Sequence, residues 1–88
     1  MLGTKIPELM DFPSEVSFKV VGDKEEIILA GINKLMQEHN IKDFNVTTRK
    51  SSKGNYVSCS VTLNVESPAQ MELLYTEFSK IETVRVVI

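Results

Sequence analysis

The 88 residues make a chain too short for two hydrophobic cores, and 42% hydrophobic with 25% charged residues is the balance of one folded globular domain. Ten Lys and Arg against twelve Asp and Glu leave a net charge of −2, which excludes the strongly basic footprint of a nonspecific nucleic-acid binder. One cysteine excludes an intrachain disulfide and a cysteine-built zinc site, and without an N-terminal apolar h-region or a run of about 18 apolar residues the chain is expected to be cytoplasmic, with no membrane segment.

Residues 1–14 contain Pro7 and Pro13, which oppose a long regular element. They are expected to form an extension packed on or beside the domain through Ile6, Leu9, Met10 and Phe12, with a single domain over 15–88. In residues 15–21 (EVSFKVV) Val16, Phe18 and Val20 point one way and Ser17, Lys19 and Val21 the other, the period-two pattern of a half-buried strand ended by Gly22. Asp23, with Glu26 three residues on, predicts a capped helix start. Ile28, Gly31, Ile32 and Leu35 form one helical face, Gly31 suggests close packing on a sheet, and Asn40 is the expected terminator.

Residues 43–50 alternate again, with Phe44, Val46 and Thr48 opposite Asn45, Thr47 and Arg49. Gly54 in SSKGNY supplies a turn, and 56–65 alternate without interruption, Val57, Cys59, Val61, Leu63 and Val65 facing in. Ser67-Pro68-Ala69-Gln70 combines a cap, a first-position proline and a third-position Gln, and Met71, Leu74, Tyr75 and Phe78 share the face of the helix that follows. Residues 82–88 (ETVRVVI) predict a last strand with Val84, Val86 and Ile88 on one side. The order β-α-β-β-α-β predicts an α+β ferredoxin-like sandwich: a four-stranded antiparallel sheet of order 4-1-3-2 with both helices on one face.

The other face of such a sheet is uncovered. By parity it carries Ser17, Lys19 and Val21; Asn45, Thr47 and Arg49; Ser58, Ser60, Thr62 and Asn64; and Thr83, Arg85 and Val87. Lys19, Arg49 and Arg85 place cations on three strands, interleaved with the hydroxyls of Ser58, Ser60 and Thr62, and Glu15 is the acid of matching parity. Such a surface suits an anion or the acidic side of a protein partner; the plain alternative is a solvated sheet whose charges blunt edge pairing. Base stacking on RNA is disfavoured, because the outward positions of the central strands carry no aromatic ring and Tyr56 stands at a strand end.

No catalytic constellation emerges. His39 is the only histidine and sits near a helix end, Cys59 faces inward, and Ser51-Ser52-Lys53 lack the spacing of a phosphate loop. Asn45-Val46-Thr47 is a glycosylation sequon in form alone. The chain is therefore expected to be no enzyme and to need neither cofactor nor metal.

PELMDFP (7–13), SFKVVG (17–22), SSKGNYVSCSVTLNV (51–65) and LLYTEFSKIETVRVVI (73–88) together resemble the YbeD-like family of small bacterial proteins. That resemblance implies a βαββαβ fold like the ACT-type regulatory domain, and a gene-neighbourhood link with lipoate metabolism. ACT domains usually hold a ligand near the first strand–helix loop at a dimer interface, which makes Gly22 and Asp23 the candidate ligand loop for an amino acid or other small anionic metabolite. The competing account is a glycine that ends a strand and an aspartate that caps a helix. The leading expectation is a noncatalytic binding or regulatory module acting on an unidentified protein partner, or on itself, through the open sheet face. An ACT-type sensor stands second, ahead of a small enzyme or a nucleic-acid binder.

Overall fold

Alternation of apolar and polar residues in Ser14–Gly22 places β1 at the centre of a sheet with one covered side, where Val16, Phe18 and Val20 are buried. The computed structural model describes residues 11–88. After β1 come α1 (Glu25–Glu38), β2 (Phe44–Lys50), β3 (Val57–Val65), α2 (Pro68–Ser79) and β4 (Val84–Val87). The strand order is β2-β3-β1-β4, the expected 4-1-3-2 order read from the other edge. β1 pairs antiparallel with β3 from Ser14↔Val65 to Gly22↔Val57, and β2 with β3 from Phe44↔Leu63 to Lys50↔Val57.

Both helices lie on the side where Val57, Cys59, Val61, Leu63 and Val65 are buried. Ile28, Ile32, Leu35 and Met36 of α1 and Met71, Leu74 and Phe78 of α2 fill that layer. Phe18 meets Phe78 edge-on, with ring centroids 5.2 Å apart, a geometry that adds about 1 kcal/mol to the area it buries. Phe12 packs against this core; the rest of the expected N-terminal extension, with Ile6, Leu9 and Met10, lies outside the described residues.

The ends of the helices follow local chemistry in three cases out of four. At α2 the Ser67 hydroxyl accepts from the Gln70 N–H at 3.1 Å, and Gln70 Oε1 accepts from the Glu66 N–H at 2.7 Å. Its far end closes on Lys80, whose N–H donates to the Glu77 carbonyl. At the end of α1, Asn40 takes a left-handed φ of 57°, its N–H donates to the Gln37 carbonyl, and Ile41 N–H donates to Met36 O at 2.8 Å. The start of α1 departs from expectation. The helix begins after Lys24, no side chain caps it, and Asp23 is turned away to Arg85. Glu25 and Glu26 supply the first-turn negative charge instead.

Two further expectations are corrected. Gly31 is close to Ile81 in the connection before β4, not to the sheet: a Cβ there would lie 2.6 Å from Ile81 Cγ2. In β4 the even spacing of Val84, Val86 and Ile88 does not hold. Gly22 pairs with Val84 but Val21 pairs with Val86, so Arg85 is the extra residue of a β-bulge. Val87, expected on the open side, is buried opposite Val20, while Val86 and Ile88 are exposed. Thr83, also expected outward, precedes the strand with a left-handed φ of 70° and a buried hydroxyl.

Gly31→Ala sets a helix-propensity gain of about 1 kcal/mol against overpacking of about 1–3 kcal/mol. Urea unfolding is expected to show a net loss of about 1 kcal/mol. In Gly31→Ala/Ile81→Ala the combined loss should fall short of the sum of the single losses, since the alanine methyl then enters the space Ile81 vacates.

Candidate functional site

The register lays the open face out in cross-strand rows. Arg49, Ser58, Val21 and Val86 form one row; Thr47, Ser60 and Lys19 the next; Asn45, Thr62 and Ser17 a third; Asn64 and Glu15 the fourth. Lys19, Arg49, Ser58 and Ser60 are thereby brought together, and with Thr47 and Thr48 they line a shallow depression of about 410 Å³. The ion pairs among the described residues are Lys80–Glu77 and Arg85–Asp23, so Lys19 and Arg49 face solvent without a carboxylate in ion-pair distance. Ser58 Oγ donates to the Arg49 carbonyl at 3.4 Å. Thr62 lies one row further on and shares a 2.7 Å hydrogen bond with Ser17 across the strands, one hydroxyl donating to the other.

Arg85 does not join this group. The bulge carries it to the end of the sheet, where Nε donates to Asp23 Oδ1 at 2.7 Å and Nη2 to Oδ2 at 3.3 Å. The Asp23 carboxylate raises the guanidinium pKa further above its ordinary value. The basic set of the open face is thus Lys19 and Arg49. Beside them Val21, Val86 and Ile88 give the β1/β4 side an apolar strip, and two 2.9 Å backbone hydrogen bonds join Lys19 to Ile88.

Glu15 is not alone at the other end of the face. Asp43, one residue ahead of β2, lines the same depression with Asn45, Thr62 and Asn64, a hollow of about 420 Å³. Asp43 has the parity of Asn45, so its position was readable from the spacing.

The candidate ligand loop borders a larger cleft of about 610 Å³ between the start of α1 and the β2–β3 hairpin, lined by Asp23, Lys24, Glu25, Glu26, Lys50 and Tyr56 among others. Gly22 makes room for protein rather than for this cleft: a Cβ there would meet the Thr83 carbonyl oxygen, Ile28 Cδ1 at 2.8 Å and Val84 Cα at 2.9 Å. Asp23 donates its N–H to Thr83 O and its carboxylate is held by Arg85. Glu25 and Glu26 then balance Lys24 and Lys50, leaving no net attraction for an anion.

The remaining reactive groups stand apart. Ser51 organises the hairpin, its Oγ accepting from Asn55 N at 3.0 Å and Tyr56 N at 3.3 Å, while Gly54 takes the left-handed φ of 72°. His39 is exposed at the end of α1. Burial, with a smaller push from Glu25, raises the Cys59 thiol pKa. Among the described residues no three His, Cys, Asp or Glu side chains are grouped to hold a metal, and no helix is long and apolar enough to cross a membrane.

The family model described as Protein of unknown function (DUF493) matches residues 7–88. UPF0250 protein Sputcn32_2874 of Shewanella putrefaciens is 46% identical over 88 residues, covering 100% of both chains, and a UPF0250 protein of Shewanella loihica is 44% identical over the same span. These matches correct the YbeD-like label, which none of these relatives bears, and the lipoate association that rested on it is withdrawn with it. Solved structures share the fold at low identity. The solution structure of protein HP0495 from H. pylori covers 100% of this chain and 94% of its own at TM-score 0.74 and 13% identity. The C-terminal domain of the MgtC protein from Mycobacterium tuberculosis covers 90% and 88% at TM-score 0.64 and 21% identity. The ACT domain from GTP pyrophosphokinase of Chlorobium tepidum covers 84% and 94% at TM-score 0.56 and 17% identity. The architecture is the ferredoxin-like, ACT-like one.

Cys59 reports on the integrity of this sheet. Alkylation of the native protein at neutral pH is expected to run roughly a thousandfold or more below that of the urea-unfolded chain, because the buried thiol reacts only on opening. Labelling at comparable rates in both states would show that β3 is not covered as described.

Proposed function

We propose, for a chain that belongs to the DUF493 family, a noncatalytic binding role in which the basic half of the open sheet face receives the acidic surface of a protein partner. The observation that carries this reading is the Lys19–Arg49 depression: two cations on a helix-free face, with hydroxyls between them and no carboxylate in reach among the described residues. Carboxylates of a partner find charge-assisted donors in Lys19 and Arg49 and a neutral one in Ser60, with Thr62 at the margin and the Ser58 hydroxyl donated to the Arg49 carbonyl. Val21, Val86 and Ile88 add apolar area to the same approach. Exposed charges of this kind set encounter rate and orientation more than affinity, which suits a reversible regulatory contact.

A second reading, a sensor of a small amino acid or carboxylate, is favoured by the cleft beside Gly22 and Asp23, whose volume of about 610 Å³ falls in the range of small-molecule pockets. Its charge balance weighs against it. Calorimetry over a panel of amino acids and carboxylates separates the two readings, since heat from any of them that is lost on blocking the cleft with Ile27→Trp, at an exposed helical position of its lining, would favour the sensor.

The test of the leading reading is affinity capture with wild type beside Lys19→Glu/Arg49→Glu, both shown to be folded by circular dichroism. A protein captured by wild type is expected to bind the variant at least about tenfold more weakly, and the wild-type contact to weaken as salt rises. Retention indifferent to the two reversals would remove the face from the interaction.

A further inference from the structure

The open face carries its own complement. Two hollows of nearly equal size, about 410 and 420 Å³, lie at opposite ends of it: one between Lys19 and Arg49, the other between Glu15 and Asp43. Asp43 lies just ahead of β2 and Arg49 near its far end, and Lys19 and Glu15 lie on the same side of β1. The residues between them, Ser17, Asn45, Thr47, Ser60 and Thr62, are uncharged. A surface that is positive at one end and negative at the other along the strand direction is matched by itself after a half-turn.

We infer that the acidic surface received by this face is that of a second copy of the chain, an inference that rests on the face being a binding surface at all. The two-fold axis runs across the strands between the Lys19 row and the Ser17 row. Rotation about it inverts the order of the rows and keeps each strand over its equivalent, so the contact is isologous. Arg49 then stands over Asp43 of the second copy. Lys19 stands over Ser17 of the second copy, with Glu15 one row further, about 7 Å along the strand and within reach of a lysine side chain. Sheets stacked face to face lie about 10 Å apart, a gap that opposed Arg and Asp side chains span. The reverse docking, with cations on cations, is repelled, so the same charges that attract also set the register.

The area limits the strength. Three strands by four rows cover roughly 400 Å² on each copy, about half of what each partner gives to a standard interface. The dimer is therefore weak, concentration-dependent and weakened by salt.

The experiment uses the full chain and two charge reversals, Lys19→Glu/Arg49→Glu and Glu15→Lys/Asp43→Lys, followed by sedimentation equilibrium over protein concentration and ionic strength. Wild type is expected to dimerise reversibly at low salt. Each variant alone then opposes like charges and should dimerise about 100-fold more weakly or less. Mixed in equal amounts, the two variants should form a one-to-one heterodimer tighter than wild type, which also shows that both are folded and competent. A wild type that stays monomeric at low salt up to its solubility limit, or variants that dimerise as well as wild type, would overturn the inference. The broader reading fails separately: it falls if capture of a different protein is also indifferent to Lys19→Glu/Arg49→Glu, and stands without self-association if that capture is lost while wild type remains monomeric.

Discussion

The ladder between β1 and β3 is the constraint on which the other elements depend. It runs without interruption from Ser14↔Val65 to Gly22↔Val57, and because side chains alternate, that one register decides which half of each strand is covered. A slip of one residue would expose Phe18, Val20, Cys59 and Val61 together, all of which are fully buried. The helices add no independent constraint on parity; they cover the side that the ladder has already made apolar. The polar character of the opposite face is a consequence of the same register, so fold and candidate site have one cause.

Much of this was legible in the chain because the signals were local. Alternation in 57–65 is uninterrupted, Ser67-Pro68-Gln70 is a complete helix start, and Asn40 accepts a left-handed φ at little strain. Two of the misreadings share a different cause, a partner distant in sequence, and the third comes from an irregularity in β4. Asp23 with Glu26 has the spacing of a cap, but Arg85, 62 residues away, takes the carboxylate. Gly31 looks like a helix–sheet contact until Ile81 is placed against it. In VRVV no residue type announces a bulge, and period two continued through Arg85 puts Val87 on the wrong side. Of the candidate interaction residues, Lys19, Arg49, Ser58 and Ser60 are neighbours because they lie on strands joined directly to each other, whereas Arg85 lies beyond the irregularity.

The electrostatics of the molecule differ from its net charge. At −2 the chain offers no long-range attraction to polyanions, yet one face separates its charges into a positive and a negative end with neutral hydroxyls and amides between. At physiological salt, where the screening length is about 8 Å, a partner senses these ends one at a time and only on close approach. Any contact made through this face is then governed by how the rows align and not by total charge.

The bulge in β4 has a consequence for how this sequence tolerates change. Pairing runs from Gly22↔Val84 directly to Val21↔Val86, so the strand would alternate without a break if Arg85 were absent, Val84 and Val87 facing the core and Val86 the solvent as they do now. Arg85 is a residue surplus to the sheet, held outside its periodicity and spent on Asp23. The tie between the first loop and the last strand is therefore modular: it can be added or removed by inserting or deleting one codon, with the hydrophobic layer left in phase.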